Sequence, residues 1–205
     1  MSKDFITTEQ WEKLLNIHTM PSDYEYTDQN HAPYEPTGYG VLKRLSESGL
    51  IKKGDKLVDY GCGKGRVAFF LGYVFSLSVT GIEYMASSHM YAQENLKNCA
   101  LSLPSKKQIR FLHQSAEGYE PTDENLFYFF NPFSPTILSS VLGKIVASYY
   151  MNPRPIRLFF YYPSDEYLSL LMTMSPFEYE CEIDVSDFET GDKSREKISV
   201  FRIQP

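Results

Sequence analysis

Short, densely apolar runs alternate along this chain with longer segments whose apolar positions recur every three or four residues. The runs at 57–60, 78–83, 108–113, 126–130 and 156–162 are strand-sized, and the segments between them carry the spacing of helices. Helices are expected over 38–48, with Val41, Leu42 and Leu45 on one face and Gly49 ending it, and over 65–75. Three more are expected over 86–99, with Met90, Tyr91, Leu96 and Cys99 turned inward, over 135–149, with Pro135 in the first turn, and over 164–174. The run 126–130 is too apolar for a face in water, which places it centrally in a parallel sheet. The alternation then stops. Segments 177–185 and 197–203 read as two strands joined by a polar loop around Gly191, an antiparallel hairpin. This order predicts an α/β fold: a doubly wound, seven-stranded, mostly parallel sheet with an antiparallel C-terminal hairpin.

The first 36 residues differ from the rest. A short helix headed by Thr8 runs through Asn16 with Trp11, Leu14 and Leu15 on one side. Pro21, Pro33 and Pro36 then break up a stretch holding Tyr24, Tyr26 and Tyr34. Residues 1–36 read as an arm or lid and 37–205 as the Rossmann-like domain.

Composition narrows the possibilities. With 205 residues, 42% of them hydrophobic, the chain buries a real core and is not intrinsically disordered. Sixteen Tyr and 14 Phe against one Trp point to an aromatic-lined core or pocket. No apolar run approaches the roughly 20 residues of a membrane helix, and the polar N-terminus does not read as a secretory signal. Cys62, Cys99 and Cys181 are odd in number, far apart and without metal-ligand spacing, so no metal and a reduced, cytoplasmic setting are expected. The net charge is −6. Residues 51–163 carry 12 Lys+Arg against 8 Asp+Glu, whereas residues 1–50 carry 4 against 8 and residues 164–205 carry 4 against 10. An acidic periphery disfavours nucleic acid as a partner, because phosphate backbones are gripped by clustered positive charge.

The strongest chemical signal is Asp59-Tyr60-Gly61-Cys62-Gly63-Lys64-Gly65, which follows an apolar strand and opens a helix. Glycines there let backbone approach a ligand, and the helix start offers free N–H groups. A nucleotide P-loop is excluded: Gly49 and Gly54 have its spacing, but Asp55 stands where its lysine belongs. A dinucleotide fingerprint needs GxGxxG, whereas the third glycine here comes one residue early, and Asp59 would repel a pyrophosphate.

An acid, one residue, then GxGxG resembles motif I of the class I S-adenosylmethionine-dependent methyltransferases, and residues 59–65 match it in full. The resemblance implies S-adenosyl-L-methionine as cofactor, with Asp59, Gly61, Cys62, Gly63 and Gly65 around its methionine and ribose. Glu83, 22 residues after Gly61 at the end of the second strand, is placed by it on the ribose hydroxyls; dinucleotide enzymes use an acid in the same way. After the third strand, where the family often has an acid for adenine, this chain has Ser115. Either its hydroxyl or the backbone of Ala116 takes that role, or the segment is a plain loop. In Tyr34-Glu35-Pro36-Thr37, similar to a segment that closes over the methionine end in several branches, Thr37 either binds the carboxylate or caps the next helix.

On the reacting side, Asn131-Pro132-Phe133 resembles the (Asn/Asp)-Pro-Pro-(Tyr/Phe) motif of amino-group methyltransferases, short by one proline. The resemblance implies that Asn131 orients a target amine, with Pro132 and Phe133 beside it, on a small-molecule or protein acceptor. A proline turn with Phe133 in the core is the alternative. His31 and Tyr34, in the arm, are candidate bases for an oxygen acceptor; His89 reads as structural and Cys62 as a small spacer. The acids over 178–189 read as an exposed sheet face or as a surface for a basic target. Two other functions compete with methyl transfer: a non-catalytic S-adenosylmethionine-binding module and a nicotinamide-dependent oxidoreductase.

Overall fold

The computed structural model describes residues 6–20, 34–188 and 194–205. Strand β1 (Lys56–Tyr60) is followed by β2 (Ser78–Glu83), β3 (Ile109–His113), β4 (Leu126–Phe129), β5 (Ile156–Tyr161), β6 (Glu178–Asp184) and β7 (Lys197–Ile203). They form one sheet in the order β3-β2-β1-β4-β5-β7-β6. Strands β1 to β5 are parallel, and β7 lies antiparallel between β5 and β6.

The unbroken apolar run of β4 follows from its place at the middle of that order. Strand side chains alternate faces, and each face here has its own core. Leu126 and Tyr128 join one core, Phe127 and Phe129 the other. The first core is closed by α1 (Thr8–Leu15), α2 (Tyr39–Glu47), α3 (Arg66–Phe75) and α4 (Ala86–Asn98) through Leu15, Leu42, Ala68 and Ala92. A short α5 (Leu103–Lys106) follows. The second is closed by α6 (Pro135–Met151) and α7 (Asp165–Thr173) through Leu138, Leu142 and Leu171. On that second face Tyr60, Phe129 and Phe160 stack across β1, β4 and β5, with ring centroids 5.1 and 4.5 Å apart.

Three expectations need correction. Met90 and Tyr91 face outward, 70% and 51% exposed, and the inner face of α4 is Ser88, Ala92 and Asn95. Asn95 belongs inside because its amide is a tie: Oδ1 accepts from the His18 N–H at 2.9 Å, and Nδ2 donates to the His18 and Lys64 carbonyls at 3.0 Å. Leu14 is also exposed, so α1 docks through Leu15 and through Trp11, whose ring meets Tyr39 and Phe70. The cap of α1 is Thr7, the residue before Thr8, and its hydroxyl accepts from the Gln10 N–H at 3.3 Å. The acids of β6 stand on a partly exposed sheet face, as expected, and pair across it. Glu178 pairs with Arg202, Glu180 with Arg157, and Glu182 with Lys197. Residues 21–33 of the expected lid, and with them His31, lie outside the described residues, as does Gly191 of the hairpin loop.

Candidate functional site

Strand order reverses at β1: the chain runs outward through β2 and β3 on one side of it and returns to place β4 and β5 on the other. A parallel sheet opens a crevice at the carboxyl ends of strands at such a point. Here that crevice is a solvent-open cleft walled by Asp59, Gly61, Cys62, Glu83, Tyr128 and Phe133.

The loop leaving β1 forms its floor. Gly61, Gly63 and Gly65 have φ of +71°, +53° and +91°, which favours glycine. Room matters as much as dihedral. A Cβ on Gly61 would sit 2.4 Å from Pro132, one on Gly63 2.0 Å from the Tyr34 ring, and one on Gly65 2.6 Å from Phe111. The glycines therefore admit side chains from three other segments. The Gly61 and Cys62 N–H groups donate to the Ile82 carbonyl at 2.9 and 3.1 Å, tying the loop to the end of β2. Glu83 completes the tie: Oε2 accepts from the Gly63 N–H at 2.8 Å and Oε1 from the Met85 N–H at 2.7 Å.

Asp59 is 2% exposed, lines the cleft, and its Oδ2 has no hydrogen-bond partner among the described residues. Burial, with the nearby Glu83 carboxylate, pushes its pKa up to about 8. A buried carboxylate without a cation is unfavourable. The group that would relieve it is a positive charge on a ligand. Cys62 also lines the cleft, and burial among these acids pushes its thiol well above the ordinary range, so it does not offer a thiolate nucleophile.

Of the other expected residues, Thr37, Glu83, Ala116, Pro132 and Phe133 line the cleft, whereas Gly63, Gly65, Ser115 and Asn131 are not in its wall. Gln114 and Ala116 reach the wall on either side of Ser115, which starts a single 3-10 turn at Ala116–Gly118. Thr37 is not a helix cap: Gly38 holds that position, and the Thr37 hydroxyl lies 3.0 Å from that of Tyr128. Asn131 has φ of +41°; its Nδ2 donates to the Tyr162 carbonyl, and its Oδ1 is buried with no partner. The Tyr34 hydroxyl donates to the Thr19 carbonyl at 2.7 Å, and burial pushes its pKa far up, so Tyr34 does not serve as a base. His89 and His113 stack on each other, centroids 5.4 Å apart, and neither lines the cleft.

Arg66, at the start of α3, is the site residue that motif reasoning missed. It lines the cleft yet is 4% exposed. Its guanidinium donates to Thr19 Oγ1 at 2.7 Å, to the Thr37 carbonyl at 3.2 Å and to Glu12 at 3.2 Å, and it lies 4.7 Å from the Tyr39 ring centre. It bolts α1 and the Thr37 segment to the glycine loop. One charge in the otherwise apolar Arg66-Val67-Ala68-Phe69-Phe70-Leu71 was the available signal.

No protein-family model matches this chain. It is 26% identical over 149 residues, 68% of its length, to a histone-lysine N-methyltransferase specific for H3 lysine-79 from Dictyostelium discoideum, of which it covers 8%. It is 32% identical over 85 residues, 41% of its length, to a sphingolipid C9-methyltransferase from Komagataella phaffii, of which it covers 17%. The chain thus spans less than a fifth of the length of either relative. Among solved structures, the glycopeptide N-methyltransferase MtfA complexed with sinefungin superposes with a TM-score of 0.59 at 9% identity, covering 89% of this chain and 91% of that one. Sheet order, the reversed hairpin and these likenesses agree: the chain has the class I S-adenosylmethionine-dependent methyltransferase fold.

Proposed function

We propose that this chain binds S-adenosylmethionine in the cleft and transfers its methyl group to an amine on a small molecule or protein. The observation that carries the reading is the buried, unpartnered Oδ2 of Asp59 in the cleft wall beside Glu83. A ligand with a cationic amino acid end satisfies Asp59, whereas a pyrophosphate would add negative charge to two acids. Glu83, whose oxygens accept from the Gly63 and Met85 N–H groups, lines the cleft where the ribose hydroxyls bind in this proposal. Gln114 and Ala116 stand at the adenine end, and Thr37 with Tyr128 at the methionine end.

When bound, the cofactor supplies an electrophilic methyl on a positively charged sulfur. The chain's part is to orient and to exclude water. Tyr128, Phe130 and Phe133 give that end of the cleft aromatic walls, which favour a cation. An amine attacks with its own lone pair, so alignment matters more than a strong base. Among the described residues that line the cleft, none is a histidine. Segment 34–36 belongs to the lid in this proposal, and the setting is the cytoplasm.

Calorimetric titration with S-adenosylmethionine, S-adenosylhomocysteine and NAD tests the reading. Micromolar binding of both sulfur compounds, weakened in Glu83→Ala, and none of NAD is expected. A folded protein that binds neither sulfur compound refutes it.

A further inference from the structure

Three carboxylates stand in the cleft wall: Glu35, Asp59 and Glu83. Asp59 and Glu83 are buried, and the proposed cofactor uses both. Glu35 is exposed and makes no hydrogen bond or ion pair among the described residues. Its place is nevertheless set from both sides. On one, the Tyr34 ring lies against Gly63, and its hydroxyl donates to the Thr19 carbonyl at 2.7 Å. On the other, the Thr37 carbonyl accepts from Arg66 at 3.2 Å, and the Thr37 hydroxyl lies 3.0 Å from that of Tyr128. Glu35 and Pro36 thus cross the rim from the glycine loop toward β4, whose continuation supplies Phe130, Pro132 and Phe133 to the wall.

Among the described residues, no side chain in the wall offsets Glu35. Arg66 is the only cation there, and it is ion-paired with Glu12 and donates to Thr19 and Thr37. Lys64 is outside the wall, 4.8 and 5.1 Å from the ring centres of Tyr34 and Tyr91. With the cofactor in place, its ammonium answers Asp59, and its sulfonium and carboxylate cancel. Glu83 and Glu35 then leave the occupied cleft negative, and Glu35 is the exposed one of the two. The Tyr34, Phe130 and Phe133 rings in the same wall favour a cation as well. We infer that the acceptor is an amine carrying a second positive charge a few carbon atoms from the accepting nitrogen, and that Glu35 selects it by pairing with that charge. The inference rests on the proposed methyl transfer to an amine and names its substrate class. In the step, the unprotonated nitrogen forms the N–CH3 bond as the S–CH3 bond breaks. The sulfur keeps the electron pair as a neutral thioether, and the nitrogen takes the positive charge. The second ammonium keeps its charge throughout, so Glu35 acts on binding and not on the chemistry.

The test fixes the length of the amine and changes its far end. Cadaverine, hexylamine and aminocaproate present an ammonium, a methyl and a carboxylate at the same distance from the accepting nitrogen. Acetylated peptide amides with lysine flanked by arginine or by glutamate present the same contrast on a polypeptide. Release of S-adenosylhomocysteine from S-adenosylmethionine is followed for each. In the unaltered protein, kcat/KM should favour cadaverine over hexylamine, and hexylamine over aminocaproate, by about 5-fold each, the upper range of an exposed ion pair. Comparing variants on one amine cancels differences in the amines' own basicity. Glu35→Gln should raise KM for cadaverine about 5-fold with kcat within about twofold, and Glu35→Lys should reverse the order of the three. Calorimetric affinity for S-adenosylhomocysteine should stay within about twofold in both variants. Faster transfer to cadaverine supports the inference with a small-molecule source, and faster transfer to the arginine-flanked lysine, with the same dependence on Glu35, supports it with a protein source. Equal kcat/KM for the three amines, or an order that survives both Glu35 variants, overturns the inference and leaves methyl transfer standing. Transfer to none of these amines by a protein that binds S-adenosylhomocysteine overturns it too. So does loss of S-adenosylhomocysteine affinity in step with loss of cadaverine transfer, which is a structural role. No binding of either sulfur compound by the unaltered protein defeats the proposed function itself.

Discussion

In the proposed binding mode, Asp59 makes cofactor binding a proton-linked event. With its pKa at about 8 in the ligand-free cleft, about nine in ten Asp59 carboxyls hold a proton at pH 7. A cationic amino group placed against Oδ2 returns the carboxyl toward the ordinary range, so binding must expel that proton. Close to one proton leaves per ligand at pH 6.5 and about 0.9 at pH 7. Because binding needs the ionised form, affinity rises with pH: close to tenfold between pH 6 and 7, or about 1.3 kcal/mol. The count is read in that window, below the range of about 7.7–8.0 in which an α-amino group loses its own proton. Isothermal titration with S-adenosylhomocysteine in two buffers of different ionisation enthalpy gives the number directly. Asp59→Asn should bind more weakly, release none and show no such slope. Unimpaired binding with the same heat in both buffers at pH 7, or an Asp59→Asn variant that releases as many protons, would refute the reasoning.

The same residue sets a stability trend. Its folded pKa lies above its unfolded one, so the ligand-free protein loses stability as pH rises from about 4 to about 8. Asp59→Asn should flatten that trend in denaturant titrations. Glu83→Gln gives up a charged acceptor of two backbone N–H groups and should weaken S-adenosylhomocysteine binding about 10- to 100-fold by calorimetry. Gly63→Ala puts a methyl into the Tyr34 ring at a positive φ and should lower stability by about 1–3 kcal/mol in urea melts, with cofactor affinity falling as well. Glu12→Ala strands the buried Arg66 and should cost about 3–5 kcal/mol by the same measurement; a loss below about 1 kcal/mol would show that the pair is solvated.

Period and turn chemistry made the scaffold legible. Alternating apolar runs located the strands and the reversed hairpin; the one comparable run, Val67 to Leu71, is told apart as a helix by its place directly after the glycine loop. The glycine loop and Glu83 were legible as well, since both are local patterns anchored to a strand end. What escaped depends on contacts distant in sequence. Met90 and Tyr91 look like core residues until it is known that Asn95 must turn inward to hold His18 and Lys64, 77 and 31 positions away. Arg66 looks like a misplaced charge until Glu12 and Thr19 are brought to it. Thr37 resembles a helix cap, and only the sheet brings Tyr128 within reach of its hydroxyl. At Ser115 the alternatives left open depended on one tight turn, Ala116–Gly118, in which Gln114 and Ala116 reach the cleft wall and Ser115 does not.

The ion-paired face of β6 bears on how this protein behaves when crowded. Strand β6 ends the sheet, so one row of its backbone donors and acceptors has no strand beside it. Such an edge is a template for pairing with another chain. Glu178, Glu180, Glu182 and Asp184 give it a line of carboxylates, and the register slips between Tyr179 and Cys181, bending the ribbon away from flatness. Each pairing with Arg202, Arg157 or Lys197 neutralises charge toward the sheet interior while the chain as a whole keeps its acidic excess. A second copy approaching edge to edge would have to desolvate these charged, ion-paired side chains, not a flat apolar strand. The hairpin is thus guarded against fibrillar self-association, and replacing those acids by threonine would remove the guard before it touched the cleft.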